Sequence, residues 1–67
     1  MTNQNTWDAV HTVIGFIKLN GLYSMTAEKV QDIASNNSAN FEEVKSMVAT
    51  HYSLFGESHT EDYIKSL

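Results

Sequence analysis

Residues 40–56, NFEEVKSMVATHYSLFG, carry the strongest structural signal in this 67-residue chain. Asn40 followed three residues later by Glu43 resembles a capping box, the pattern that starts many helices. Gly56 is a suitable stop, because glycine readily adopts the left-handed conformation that ends a helix. The segment therefore predicts an amphipathic helix. Its core face holds apolar residues spaced three or four apart: Phe41, Val44, Val48, Tyr52 and Phe55.

A second row of side chains runs beside that core face. Met47, His51 and Leu54 follow one another at spacings of four and three, so they flank the main apolar stripe. Two interpretations stay open for this row. It is either an exposed patch for a protein partner, or a surface covered by the chain's last apolar residues, which are Tyr63, Ile64 and Leu67.

Upstream, the sequence predicts a first helix over residues 6–19. Asn5 is placed as its N-cap, Asp8 lies in the first turn, and Gly21 is the C-terminal stop. Apolar residues again recur every three or four positions, and Val13 and Phe16 widen the face beyond a single stripe. The main stripe consists of Trp7, Val10, Ile14 and Ile17.

Two shorter helices complete the predicted architecture. Thr26 caps a helix over residues 27–35, and a polar break over 36–40 separates it from the central helix. Ser58 and Glu61 repeat the capping-box spacing and predict a last helix from Ser58. The chain has no proline and no useful strand alternation. We expect one all-α domain over residues 1–67, a small orthogonal bundle of three to four helices with a helix-turn-helix-like pair in the middle.

Residues 26–47 resemble, loosely, the DNA-binding part of bacterial repressors of the tetracycline-repressor type. The resemblance covers about a third of the chain and implies a helix-turn-helix that contacts DNA. Ser38 stands where the turn of that pattern usually carries glycine. Ser38 therefore departs from the pattern, and the positions that match are Ile33 and Ala34 at the end of the first helix, and Val44 and Met47 on the inward face of the second.

The charge balance argues against nucleic acid as a partner. The chain has no arginine, and four lysines face eight carboxylates for a formal net charge of -4. Modules that read DNA need Arg or Lys to contact phosphates and guanine edges. Here the second helix of the pair begins with Glu42 and Glu43, and Lys45 is its one basic residue. Most carboxylates stand at predicted helix starts, where the helix dipole favours them.

Nothing in the sequence forms a catalytic or metal-binding pattern. Cysteine is absent, the three glycines stand singly, and His11, His51 and His59 do not share the i, i+4 spacing of two ligands on one helical face. Packing of two helices would decide whether His11 and His51 meet. We expect no enzymatic activity, no cofactor and no metal. The polar start and the short apolar stretch at residues 13–17 predict a cytoplasmic protein without membrane contact.

These features favour a small acidic helical protein-binding module that acts as an inhibitor, adaptor or regulator. We expect another protein as its partner. Self-association into a homo-oligomer is the other possibility. Small proteins of this profile are typical of bacteriophage and mobile-element genes. The alternatives are a helix-turn-helix-like DNA-binding transcriptional regulator and a small structural subunit of a larger assembly. The predicted contact residues are Phe16, Tyr23, Glu42, Glu43, Met47, His51 and Leu54.

Overall fold

The computed structural model describes residues 3–67 as an all-helical bundle, which confirms the predicted fold class. No helix within that range is both long enough and apolar enough to cross a membrane. The helices are α1 (Gln4–Asn20), α2 (Ala27–Asn36), α3 (Phe41–Leu54) and α4 (Ser58–Lys65), with a 3-10 turn (Leu22–Ser24) between α1 and α2.

Helix α1 begins two residues earlier than the sequence pattern indicated. The Asn3 side chain accepts a 2.9 Å hydrogen bond from the Thr6 amide, so Asn3 is the N-cap and the prediction of Asn5 was wrong. As a consequence, Asp8 lies beyond the first turn. Gly21 ends the helix as predicted, because its φ of 93° turns the chain away while its amide bonds to the Ile17 carbonyl.

The caps of α2 and α3 are confirmed. The Thr26 side chain accepts a hydrogen bond from the Lys29 amide at 3.1 Å. The Asn40 side chain accepts one from the Glu43 amide at 3.0 Å. Each bond satisfies an amide that has no partner within its own helix, which explains why both helices begin where the sequence indicated.

A Schellman turn ends α2 and starts the connection to α3. Ser38 has a φ of +54°, and the Ala39 amide bonds back to the Ala34 carbonyl at 2.8 Å. This is the position where the helix-turn-helix pattern usually carries glycine. The same turn, built around Gly56 at a φ of +74°, ends α3.

Helix α4 is held by packing and not by a cap. Ser58 is the first helical residue, and no side chain caps the helix, so the predicted Ser58–Glu61 capping box was wrong. Instead Ile64 is fully buried, and the Tyr63 hydroxyl donates a 2.8 Å hydrogen bond to the Met25 carbonyl. A helix this short is marginal alone, so its tertiary contacts supply its stability.

One hydrophobic core joins all four helices, and its membership differs from the sequence pattern most clearly at Met25, Trp7 and Phe55. Met25 is fully buried although it lies in the α1–α2 connection. Trp7 and Phe55 belong to the predicted core faces but are 45% and 70% exposed, because no other element of residues 3–67 covers those edges of α1 and α3. The buried apolar residues are Ala9, Val10, Val13, Ile14, Ile17, Met25, Val30, Ile33, Ala34, Val44, Val48, Ala49, Tyr52 and Ile64.

The position of α4 decides which side of α3 remains open. Helix α4 packs against the flank of α3 that carries Lys45 and Ala49, and Lys45 Nζ bonds to the main-chain oxygen of Leu67 at 3.1 Å. At 3.6 residues per turn, Met47 lies on roughly the opposite side of α3. Met47 and His51 are therefore left to face α1, while Leu54, at the end of α3, borders both the α1 side and the α4 side.

Candidate functional site

A groove of about 580 Å³ lies between α1 and α3. Each wall is one helix face, with side chains three, four or seven residues apart. The lining residues are Trp7, Val10, His11, Ile14, Gly15 and Lys18 from α1, and Met47, Thr50, His51 and Leu54 from α3.

The groove has an apolar floor and partly exposed apolar walls. Val10 and Ile14 are buried and form the floor, and Met47 is half-buried beside them. Trp7 stays 45% exposed and Leu54 81% exposed. Burial of apolar surface gains roughly 25 cal/mol per Å², so a ligand that covered these side chains would gain free energy.

Both groove histidines pack against aromatic rings. The His11 ring lies 5.9 Å from that of Trp7, and the His51 ring lies 5.1 Å from Tyr52 and 4.9 Å from Phe55. Packing of α1 against α3 thus places the two imidazoles on one groove, a relationship that spacing along the chain could not show. Across residues 3–67, no three His, Asp or Glu side chains come together as a metal site requires.

The charge of the groove differs from that of the whole chain. Lys18 lines it and no Asp or Glu does, although the chain carries a net charge of -4. Lys18 makes no hydrogen bond, ion pair or cation–π contact with any residue in the described range 3–67. Its ammonium group is therefore available to a ligand in the groove.

The other three lysines are engaged within the chain. Lys29 Nζ lies 4.8 Å from the centre of the Phe16 ring, at cation–π distance. Lys65 lies 2.9 Å from Glu61, whose hydrogen bond and negative charge raise the pKa of Lys65. Lys45 bonds to Leu67, as described above.

Two other depressions have charged linings. One of about 720 Å³ runs along α2 and is lined by polar and charged side chains, including Glu28 and Asp32, apart from Ala27 and Phe41. Another of about 370 Å³ lies between α3 and α4 beside Lys45, Lys65 and two glutamates. Because neither offers a comparable apolar floor, the α1–α3 groove is the best candidate binding site.

The structure brings together three of the seven contact residues that the sequence predicted. Met47, His51 and Leu54 line the groove. Trp7, Gly15 and Lys18 were missed, although spacings of eight and eleven from Trp7 place all three on one side of α1. The signal in the sequence is therefore a second face of α1, comparable to the second face of α3.

The remaining four predicted residues lie away from the groove. Phe16 packs half-buried against the core. The Tyr23 hydroxyl bonds to His59 at 2.5 Å, and its ring stacks edge-on with Tyr63 at 5.1 Å. Glu42 lies 3.8 Å from Lys45, and Glu43 is exposed in the first turn of α3.

Comparison with known proteins gave no match: no protein-family model, curated protein or solved structure is significantly similar to the chain.

Proposed function

We propose that the chain is a small protein-binding module that holds a partner in the α1–α3 groove and acts on it as an inhibitor, adaptor or regulator. The observation that carries this proposal is the pair of exposed apolar side chains, Trp7 and Leu54, at the edges of an apolar floor. Tryptophan is one of the side chains that become energetic anchors of an interface once a partner covers them, and burial of Leu54 would add apolar contact area.

The chemistry of the groove supports a protein ligand. Trp and Met are enriched at protein interfaces, and the flexible thioether of Met47 adapts to the shape of an incoming side chain. Thr50 and the two histidines add a few polar groups that can orient a partner. No nucleophile with an adjacent base is found among these lining residues, so the groove favours binding over catalysis.

The DNA-binding alternative has less support. Helices α2 and α3 are joined by a turn of the helix-turn-helix kind, with Ser38 at positive φ. Glu42 and Glu43, however, stand at the start of α3, where they would meet phosphates. Lys45 is already engaged by Leu67. DNA affinity depends largely on basic side chains that neutralise phosphates and release counterions. Two carboxylates at the start of α3 and an engaged Lys45 leave this helix poorly suited to that role.

The test is capture of a partner from native lysate by two matched variants of the tagged protein. Leu54→Asp places a charge at the edge that the groove shares with the α3–α4 depression, and Leu19→Asp places the same charge outside both. The two leucines are 81% and 86% exposed and each lies in the last turn of its helix, so both variants should fold equally well. We expect a stoichiometric protein that survives nuclease treatment, is retained by Leu19→Asp and is lost with Leu54→Asp.

Two results would contradict the proposal. Equal capture by both variants would exclude the groove as the binding site. A complex that disappears with nuclease would favour the DNA-binding alternative instead.

A further inference from the structure

Resting on the proposed function, we infer that the partner segment is an amphipathic α-helix with Asp or Glu beside its apolar face. Three independent features of the groove point to this occupant: its length and walls, the glycine in α1, and its charge.

The shape of the groove suits a third helix. From Trp7 to Lys18 the α1 wall runs for about 16 Å, or roughly three helical turns. Two helix faces offer side chains to a ligand but few backbone partners. An extended peptide leaves its own amides and carbonyls in need of hydrogen bonds, and residues 3–67 contain no strand edge to supply them. A helical ligand satisfies those groups internally.

Nothing within residues 3–67 requires a glycine at position 15. It lies in the interior of α1, on the groove, with ordinary helical backbone. A Cβ atom built there would meet nothing within 4 Å. Alanine would therefore fit, and it would favour the helix. Absence of a side chain at this point lets a second helix approach the α1 backbone closely, as small residues do at tightly packed helix crossings.

The charge of the groove selects carboxylates. Lys18 is unpaired within the described residues, the two imidazoles have no acidic neighbour among the lining residues, and no Asp or Glu lines either wall. An acidic helix is attracted, whereas a basic one meets Lys18 directly.

A second copy of the chain does not offer such a helix. The acidic helices α2 and α4 bury their apolar sides in the core of their own molecule, through Val30 and Ile33 in α2 and Ile64 in α4. What remains outside on these helices is largely polar. A separate partner with a free amphipathic helix therefore fits the groove better than self-association.

The experiment begins with a displayed library of helical peptides of about 15 residues, the length at which isolated helices become stable. The library keeps an alanine frame and randomises one helical face and its flanks. We expect enriched sequences to carry apolar residues at i, i+3 or i+4, and i+7, with Asp or Glu beside them. Enrichment of proline-rich, strand-like or basic peptides, or no enrichment at all, would overturn the inference.

An enriched peptide is then compared with a version in which lysine replaces its acids. Trp7 is the single tryptophan and lines the groove, so its fluorescence reports binding directly. The acidic peptide should bind about fivefold more tightly than the lysine version. Lys18→Glu should reverse that preference, and Lys29→Glu, the same change outside the groove, should leave it intact. An unchanged preference in Lys18→Glu would refute the role of charge.

Gly15→Ala tests whether a partner helix approaches the α1 backbone closely, because it should lower affinity without destabilising the fold. We expect the midpoint of thermal unfolding to rise by about 4 °C while peptide affinity falls about tenfold. Unchanged affinity would exclude close helix approach at this position. If lysate capture depends on Leu54 but the library yields no acidic helix, the proposed function stands and this inference fails. If capture does not depend on Leu54, the proposed function fails, whatever the library result.

Discussion

The Tyr63 hydroxyl donates a 2.8 Å hydrogen bond to the main-chain carbonyl of Met25, residues 38 apart in sequence. This bond ties α4 to the connection between α1 and α2, while most other contacts of α4 are with α3. Met25 is fully buried directly beneath it. The pair therefore joins the C-terminal helix to the rest of the core.

Removal of this hydroxyl should weaken the fold measurably. We expect Tyr63→Phe to lower the free energy of unfolding by about 1 kcal/mol, because the buried Met25 carbonyl loses its partner. Urea unfolding followed by circular dichroism measures the change. Tyr23→Phe is the matched control, since it removes an exposed bond to His59 and should cost less. Equal losses in the two variants would contradict a special role for the Tyr63 bond.

Truncation of Met25 should be far more harmful than truncation of Met47. Met25 is fully buried in the core, so Met25→Ala should cost about 2–5 kcal/mol and leave much of this small domain unfolded. Met47 is half-buried on the groove, so Met47→Ala should keep the fold. Thermal unfolding by circular dichroism distinguishes the two. A folded, stable Met25→Ala protein would show that the core does not depend on this side chain.

Glycine at position 38 should stabilise the protein. Ser38 has a φ of +54°, a conformation that costs a residue with a Cβ about 1–2 kcal/mol, and glycine avoids most of that cost. Allowing for the greater freedom of glycine in the unfolded chain, we expect Ser38→Gly to gain about 0.5–1 kcal/mol. For a domain of this size, each kcal/mol raises the unfolding midpoint by about 4–8 °C, which calorimetry resolves.

Ser46→Gly is the control with the opposite sign. Ser46 is exposed in the interior of α3, where glycine disfavours the helix, and we expect a loss of about 0.5 kcal/mol. If both substitutions moved the midpoint in the same direction, the turn geometry at Ser38 would not be the cause.

Alkaline pH should destabilise the protein partly through Tyr52. Burial, with a smaller contribution from the negative charge of Glu57, raises the pKa of Tyr52 above its usual value near 10. The unfolded chain then loses this proton at lower pH than the folded one. Stability from this group is complete below pH 10 and is lost as pH rises through the raised pKa. Urea unfolding at neutral pH and near pH 11 should show a smaller pH-dependent loss in Tyr52→Phe than in the natural protein. An equal loss would rule out Tyr52 as a source.

Local sequence predicted most of the helix boundaries. Thr26 and Asn40 begin α2 and α3 because each places a side-chain oxygen beside an amide three residues on, an interaction that needs no tertiary partner. Gly21 and Gly56 lie at the ends of α1 and α3 because glycine tolerates positive φ. The cap of α1 was misplaced because asparagine stands at both positions 3 and 5, and either could serve. Ser58 and Glu61 show that capping-box spacing alone does not make a cap.

Membership of the core and the existence of the groove depended on packing between helices. A helical period tells which residues share a face, but the neighbouring element decides whether the edges of that face are covered. Thus Trp7 and Phe55 remain exposed at uncovered edges, while Met25, in a connection with no periodic signal, is buried. The row of Met47, His51 and Leu54 was recognisable in sequence as a second face.

The sequence by itself determined the all-helical character of this protein, most of its helix ends and its acidic charge, because these follow from interactions within a few residues or from composition. Only the tertiary structure decided that α4 packs on the Ala49 flank of α3 and leaves the Met47 flank facing α1. That choice depends on how four apolar surfaces fit together at once. It places His11, Gly15 and Lys18 opposite His51 and so creates the groove proposed as the binding site.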